Sequence, residues 1–228
     1  DFIFNVIREK PNALIALATG NSPQLTYASL VDKVIHEKLD VSQISFIGLD
    51  EWVGIPSSDC GSCHHFLFHH VFEPLRISQK QIHLFDGLSH DLQRECIDMD
   101  NLISKKNGID LMVVGIGMNG HIGFNEPGVD WNLHSHVVNL DNTTKTVGQK
   151  YFDKVTNLTQ GITLGMQHLL NARHVLLLAN GLGKSEIIKQ TLEGEVSNAV
   201  PASILRLHTQ AMAVLDVDAA SKLTAKKM

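Results

Sequence analysis

The chain has 228 residues, 43% of them hydrophobic and 19% charged, and its 24 acidic against 19 basic residues leave a formal net charge of −5. That balance suits one globular domain with an ordinary core and argues against the electrostatic footprint of a nucleic-acid-binding protein. No apolar run approaches the ~18 residues of a membrane helix, nothing resembles a secretory signal, and Cys60, Cys63 and Cys96 are too few and odd in number for a disulfide scaffold, so a cytoplasmic protein is expected.

The chain opens on Asp1 rather than methionine, and residues are expected to precede it. Residues 13–18 (ALIALA) are the first of seven short apolar runs. Thr19-Gly20-Asn21-Ser22-Pro23 then leads into a helical pattern over 23–39, with Leu25, Ala28, Val31, Ile35 and Leu39 at three- and four-residue steps behind a first-turn proline. A second run, 44–49 (ISFIGL), ends on Asp50-Glu51-Trp52, and a third, 81–85 (QIHLF), precedes a helical pattern over 89–106. The fourth, 111–117 (LMVVGIG), enters the glycine-rich stretch GIGMNGHIGFNEPG at 115–128, and the fifth is 136–140 (HVVNL). A helical period over 158–172, a sixth run at 174–180 (HVLLLAN), a helix over 183–193 and a seventh run at 211–217 (AMAVLDV) complete the pattern.

Several runs are apolar at every residue, which suits strands covered on both faces. Strands alternating with helices predict an α/β fold: a doubly wound, mostly parallel, Rossmann-like sheet of about seven strands with helices on both faces, in a single domain over 1–228. Ligands of such folds sit beyond the carboxyl ends of the strands. Polar or glycine-rich residues stand at four of those ends.

After the first run, Gly20 allows close backbone approach, the N–H groups opening the helix favour an anion, and Ser22 adds a hydroxyl. A plain turn with a helix cap is the alternative. After the sixth, Asn180-Gly-Leu-Gly-Lys184 brings a lysine to a strand end, but Leu178 occupies the first glycine position of a P-loop and the pattern fails. A phosphate contact and a solvated lysine both remain open. Asp50-Glu51 suits a general base with a supporting neighbour, or an aspartate that caps the next segment.

Gly115-Ile-Gly117-Met-Asn-Gly120 matches the dinucleotide fingerprint, and Asp141 stands about where a ribose carboxylate belongs. The fingerprint needs a helix directly after the glycines and belongs on the first strand-to-helix turn. Here Gly123, Pro127 and Gly128 forbid that helix, and the strand is the fourth. No nicotinamide cofactor is expected. What remains is His121 with Glu126, a pairing suited to proton transfer or simply a solvated loop histidine. In CGSCHHFLFHH (60–70), Cys60 and Cys63 form half of a zinc site and His65 and His69 share a helix face. No second ligand pair follows, so an inward-packing helix is the better reading and no metal is expected.

GIGMNGHIGFNEPG strongly resembles the signature of the glucosamine-6-phosphate deaminase/isomerase family. LATGNSPQLTY is similar to that family's phosphate loop, LDEW to its catalytic Asp-Glu segment, and ITLGM with NARHVLLLANGLGK to its C-terminal half. LDEWVGIP, GSC, NGHIGFNEPG and NAVPASILRLH look closest to the galactosamine-6-phosphate branch. The resemblance implies conversion of galactosamine 6-phosphate to tagatose 6-phosphate and ammonia, with glucosamine 6-phosphate to fructose 6-phosphate as the alternative. It implies that His121 opens the sugar ring with Glu126 orienting it, and that Asp50 moves the C2 proton with Glu51 in support. Gly20, Asn21, Ser22, Lys150 and Lys184 would hold the phosphate. Neither metal nor organic cofactor is implied, and the partner is a small sugar phosphate, with no nucleic acid or membrane and a homo-oligomer compatible.

Three departures stand out. Asn119 replaces the Asp usual in the glucosamine enzymes, and the galactosamine branch shares it. Lys150 replaces a phosphate-binding Arg and supplies a point charge instead of a bidentate fork. The segment around His134 and His136 lacks the arginines of allosterically regulated relatives, so such regulation is not expected. A 6-phosphogluconolactonase-like hydrolase and a non-catalytic sugar-phosphate-binding domain are the further alternatives. Asn125-Glu126-Pro127 stands against the hydrolase, and Asp50, His121 and Glu126 stand against the binding domain.

Overall fold

A computed structural model describes residues 1–224. In chain order its elements are α1 (Phe2–Glu9), β1 (Leu14–Leu17), α2 (Asn21–His36), β2 (Ser45–Gly48), β3 (Asp50–Trp52), α3 (Cys63–Leu67), β4 (Ile82–His83), α4 (Leu92–Lys105), β5 (Leu111–Val114), β6 (His136–Asn139), α5 (Asn142–Gly148), β7 (Gln160–Thr163), α6 (Met166–Asn171), β8 (His174–Ala179), α7 (Ser185–Glu193) and β9 (Ala211–Leu215). Six strands form one sheet in the order β4-β2-β1-β5-β8-β9, with every neighbouring pair parallel. Chain order reverses between β1 and β5, where Ile15 stands beside Leu111. That is the switch point at which a doubly wound sheet opens a crevice.

Side-chain alternation along each strand divides the core in two. Ile15 and Leu17 of β1, Leu111 and Val113 of β5, and Leu176 and Leu178 of β8 pack with α1, α2 and the α3 region. Leu14, Ala16, Met112, Val114, Val175 and Leu177 point the other way, against α4, α6, α7 and the 3-10 helix Pro201–Leu207. Both faces are therefore covered, which is why these strands read as unbroken apolar runs.

The strand expectation needs one correction. Six of the seven apolar runs build the parallel sheet, but HVVNL (β6) joins a separate antiparallel sheet in the order β3-β7-β6. β6 is only partly buried, so it belongs in a small sheet beside the main one. The helix expected over 158–172 also divides. Gly161 and Gly165 interrupt its pattern, residues 160–163 form β7, and only Met166–Asn171 is helical. Over 60–70 the inward-packing helix does form: α3 continues into a π-turn at Phe68–Phe72 that buries Leu67, Val71 and Phe72. The small sheet sits over its own cluster of Trp52, Phe124, Leu140, Phe152 and Leu158. It closes one side of the crevice at the strand ends.

Candidate active site

Beyond β1 and β5 lies a cleft of about 340 Å³. Its walls include Thr19–Pro23 after β1, Leu49 and Asp50 after β2, Gly115–Met118, His121 and Gly123 after β5, Lys150 and Tyr151, and Asn180, Gly183 and Lys184 after β8. Of the residues expected to act, Asp50, His121, Gly20, Asn21, Ser22, Lys150 and Lys184 meet here. Glu51, Asn119 and Glu126 stand behind the walls.

One end of the cleft is built for an anion. Gly20 holds φ +102°, the backbone region that favours glycine, and α2 begins directly after it with its first N–H groups free of side-chain caps. Ser22 Oγ donates to Asn180 Oδ1 at 2.8 Å, joining the loops after β1 and β8. Lys184 Nζ reaches in from the second loop and donates to the Ile116 carbonyl at 2.6 Å. Burial, reinforced by the charge of Lys150, brings Lys184 down to about 8. Lys150 Nζ lies 4.8 Å from the centre of the Tyr151 ring. Two cations lining one cleft, neither with a carboxylate partner among the described residues, make a site that suits an anion such as a phosphate.

At the other end, Asp50 begins β3 immediately after Leu49 leaves the main sheet. Its carboxyl is pushed from 3.8 up to about 7, by burial and the charge of Glu51, against the relief given by the Cys63 hydrogen bond and His121. A carboxylate poised near neutrality is a competent general base. Oδ1 accepts from Cys63 Sγ at 3.4 Å. Oδ2 faces Gly123, where a Cβ would come within 3.4 Å of it and 2.6 Å of Thr163 Oγ1.

Glu51 points away, as the next residue of a strand must. It is almost fully buried and accepts from the Trp52 and Cys63 N–H groups through Oε1, and from Ser62 Oγ and the His64 N–H through Oε2. It therefore clamps the start of α3, and it acts on Asp50 through its charge and through the placement of Cys63.

His121 is held from behind. Its Nδ1 lies 3.0 Å from Glu126 Oε2 and 3.0 Å from Thr144 Oγ1. Asn119 Nδ2 donates to the same Glu126 oxygen at 2.8 Å, and the Asp141 N–H donates to Oε1 at 3.1 Å. Burial opposes ionisation of Glu126, but the His121 hydrogen bond and charge, with Thr144 and Asn119, outweigh it and hold the carboxyl at about 2. An ionised Glu126 fixes the Nδ1–H tautomer and leaves Nε2 for the cleft. The imidazole packs so closely over Gly117 that a Cβ there would lie 2.2 Å from the ring. Gly117, the second glycine of the false fingerprint, thus makes room for a histidine. Asp141 caps α5 by accepting from the Thr143 N–H at 2.7 Å and takes no place in the cleft.

Three residues that the sequence did not place at this cleft contribute here: Cys63 against Asp50, Thr144 against His121, and Tyr151, whose hydroxyl sits close over Gly20. Tyr151 follows Lys150 in the chain and was within reach of the same argument. Thr144 meets His121 across 23 residues with no local signal. The two cysteines of the expected half-site point to different partners, Cys63 Sγ to Asp50 Oδ1 and Cys60 Sγ to Asp153 Oδ2, each at 3.4 Å. Among the described residues no group of three or more His, Cys, Asp or Glu side chains is placed to hold a metal ion, and no helix is long and apolar enough to cross a membrane.

Residues 2–214 match the family described as glucosamine-6-phosphate isomerases/6-phosphogluconolactonase. The chain is 42% identical over 222 residues to the Escherichia coli (strain K12) protein named "Putative deaminase AgaI", covering 95% of this chain and 85% of that protein. It is 37% identical to the glucosamine-6-phosphate deaminase of Thermoanaerobacter pseudethanolicus (strain ATCC 33223 / 39E), over 94% of this chain and 85% of the relative. A solved structure of a monomeric glucosamine-6-phosphate deaminase superposes with a TM-score of 0.93 at 34% identity, covering 97% of this chain and 92% of the other. The 6-phosphogluconolactonase of Trypanosoma brucei, at 19% identity and a TM-score of 0.78 over 98% and 92% of the two chains, shares the fold.

Proposed function

The chain belongs to the glucosamine-6-phosphate isomerase/6-phosphogluconolactonase family, and from that premise we propose that it is an amino-sugar-phosphate deaminase/isomerase acting on galactosamine 6-phosphate in preference to glucosamine 6-phosphate. The observation that carries this reading is the pairing, in one cleft, of a carboxyl group that titrates at about 7 with a histidine whose Nε2 has no hydrogen-bond partner among the described residues, beside two lysines.

The sugar phosphate lies with its phosphate on the N–H groups of Gly20–Ser22 and on Lys150 and Lys184. That remote binding fixes the reacting carbons near the base. His121 Nε2 takes the proton of the anomeric hydroxyl and delivers it to the ring oxygen, and C1 becomes a carbonyl. The C2 hydrogen is then acidic, and Asp50 Oδ2 removes it while water protonates O1, giving an enolamine. Asp50 returns the proton at C1 as the nitrogen gives one up to water, which leaves an imine at C2. Water hydrolyses the imine to the ketone and releases ammonia. Every step is a proton transfer or a hydrolysis that Asp50, His121 and water supply.

The galactosamine preference rests on the sequence likeness to the AgaI relative. Ammonia release from each amino-sugar phosphate tests both levels, with kcat/KM for the two C4 epimers reading the preference. No release from either substrate overturns the deaminase reading, and a higher kcat/KM for the glucosamine epimer overturns the preference. A lactone hydrolase would instead cleave 6-phosphogluconolactone with Asp50→Asn in place.

A further inference from the structure

One polar contact of the base has no part in that mechanism. Cys63 Sγ stands between two groups: it donates to Asp50 Oδ1 at 3.4 Å and accepts from Thr19 Oγ1 at 3.3 Å. Thr19 is the residue directly before the phosphate-loop glycine, and Cys63 is the first residue of α3, whose N-terminus Glu51 clamps. A continuous line of donors therefore runs from the phosphate loop through the sulfur to the base. We propose that Cys63 is a positioning residue for Asp50, its thiol proton fixing Oδ1 so that Oδ2 alone meets the substrate, with Thr19 orienting the sulfur. The proposal rests on reading Asp50 as the base of the deaminase reaction.

The choice of a thiol has a physical reason. Sulfur is a weaker donor than oxygen or nitrogen, so it sets the direction of the carboxylate while removing less of its basicity than they would. A hydroxyl or amide would stabilise the anion further and weaken the base. Burial, with the charges of Asp50 and Glu51 next, holds the Cys63 thiol well above its usual range, so it remains a protonated donor across the working pH. The other titratable groups acting on Asp50 are Glu51 on its own strand and His121 from the loop after β5. Tyr27 of α2 and Tyr151 also feel its charge, and Lys150 and Lys184 line the same cleft. None of these other groups hydrogen-bonds the Asp50 carboxylate among the described residues, so removal of Cys63 removes a distinct contact.

Two readouts test the proposal in the full chain: the Asp50 carboxyl titration followed by carbon NMR, and the pH profile of kcat/KM for ammonia release. In Cys63→Ala the carboxylate loses a stabilising donor. Its titration and the acid limb of the profile move up by about one pH unit, which is about a tenfold loss of rate at pH 6 and little change at pH 9. Cys63→Ser restores an O–H donor and returns both to the wild-type position or below it. Thr19→Val gives a smaller upward shift. An unmoved Asp50 titration in Cys63→Ala overturns the proposal, as does an equal loss in Ala and Ser variants at every pH. The two readings fail separately. Wild-type protein that releases no ammonia sinks the deaminase reading even if the NMR shift is present, and normal release with an unmoved titration sinks only the role of Cys63.

Discussion

Replacing Asp50 with asparagine removes the charge of the base while keeping its shape, and stability and catalysis should respond in opposite directions. The folded carboxyl ionises at about 7 against 3.8 ordinarily, because burial disfavours the charged form and Glu51 adds to the effect. Between those two values the unfolded chain binds fewer protons than the folded one, so stability falls as pH rises through that window and levels off above 7. At about 1.4 kcal/mol per pH unit the full cost is about 4 kcal/mol, and solvent reaching the partly exposed carboxyl through the cleft brings it to about 2–3 kcal/mol. Asp50→Asn carries no such cost, and its amide oxygen still accepts from Cys63. Urea denaturation of both proteins at pH 5 and pH 8.5 should therefore show the variant more stable, with the gap widening by about 1–2 kcal/mol at the higher pH. Ammonia release should fall by about 10³-fold, and solvent exchange at C2 of the substrate should cease. A variant that is less stable at pH 8.5, or a gap that does not change with pH, would refute the account of Asp50 as a desolvated base.

The remaining tests bear on the groups around it. Lys184→Met removes a partly buried cation from the anion end, so KM for the phosphorylated substrate should rise about 10–100-fold with a smaller effect on kcat, read by steady-state kinetics. An unchanged KM would remove Lys184 from the phosphate site. Asn119→Asp exchanges a donor 2.8 Å from Glu126 Oε2 for a second carboxyl, and the pair must then share a proton. The Glu126 titration by carbon NMR should rise from about 2, and a titration that stays there would contradict the geometry. Gly117→Ala places a methyl group inside the His121 ring position, so kcat should collapse while circular dichroism stays native. Near-normal kcat in that variant would show that His121 does not need its place over Gly117.

The parallel sheet was legible because strands buried on both faces must be apolar at every position. The sequence 111–117 announces β5 for that reason. β6 carried the same look for a different cause, since a short run with partial burial on a small antiparallel sheet is indistinguishable from a buried strand by composition alone. β7 was hidden by Leu158, Ile162, Met166 and Leu169, whose three- and four-residue steps imitate a helix until Gly161 and Gly165 are given their weight. In the cleft, each strand-end motif led to a wall residue, because polar residues at the ends of apolar strands have few other uses. What sequence could not carry was direction. Asn119 offers its amide to Glu126 and its oxygen to the His121 N–H at 3.3 Å, which identifies it as a support for an ionised Glu126. No spacing rule distinguishes that from a weakened relay.

The pairing of Asp50 with Glu51 shows how a break in one strand gives two neighbouring carboxylates opposite surroundings. β2 ends at Gly48, and after the single residue Leu49 the chain enters the antiparallel sheet with Asp50 beside Thr163. Adjacent residues of a strand face opposite sides, so two neighbouring carboxylates receive opposite environments. Glu51 turns toward the start of α3, where backbone and hydroxyl donors surround it. Asp50 turns to the cleft with one thiol for company. Had β2 continued through these positions within the parallel sheet, both residues would lie between two apolar layers, where neither charge is tolerable. The change of sheet at Leu49 supplies the donors that keep Glu51 in place and withholds them from Asp50. The same carboxyl group thus becomes a structural clamp at one residue and, at the next, the carboxylate to which the proposed function gives the C2 proton.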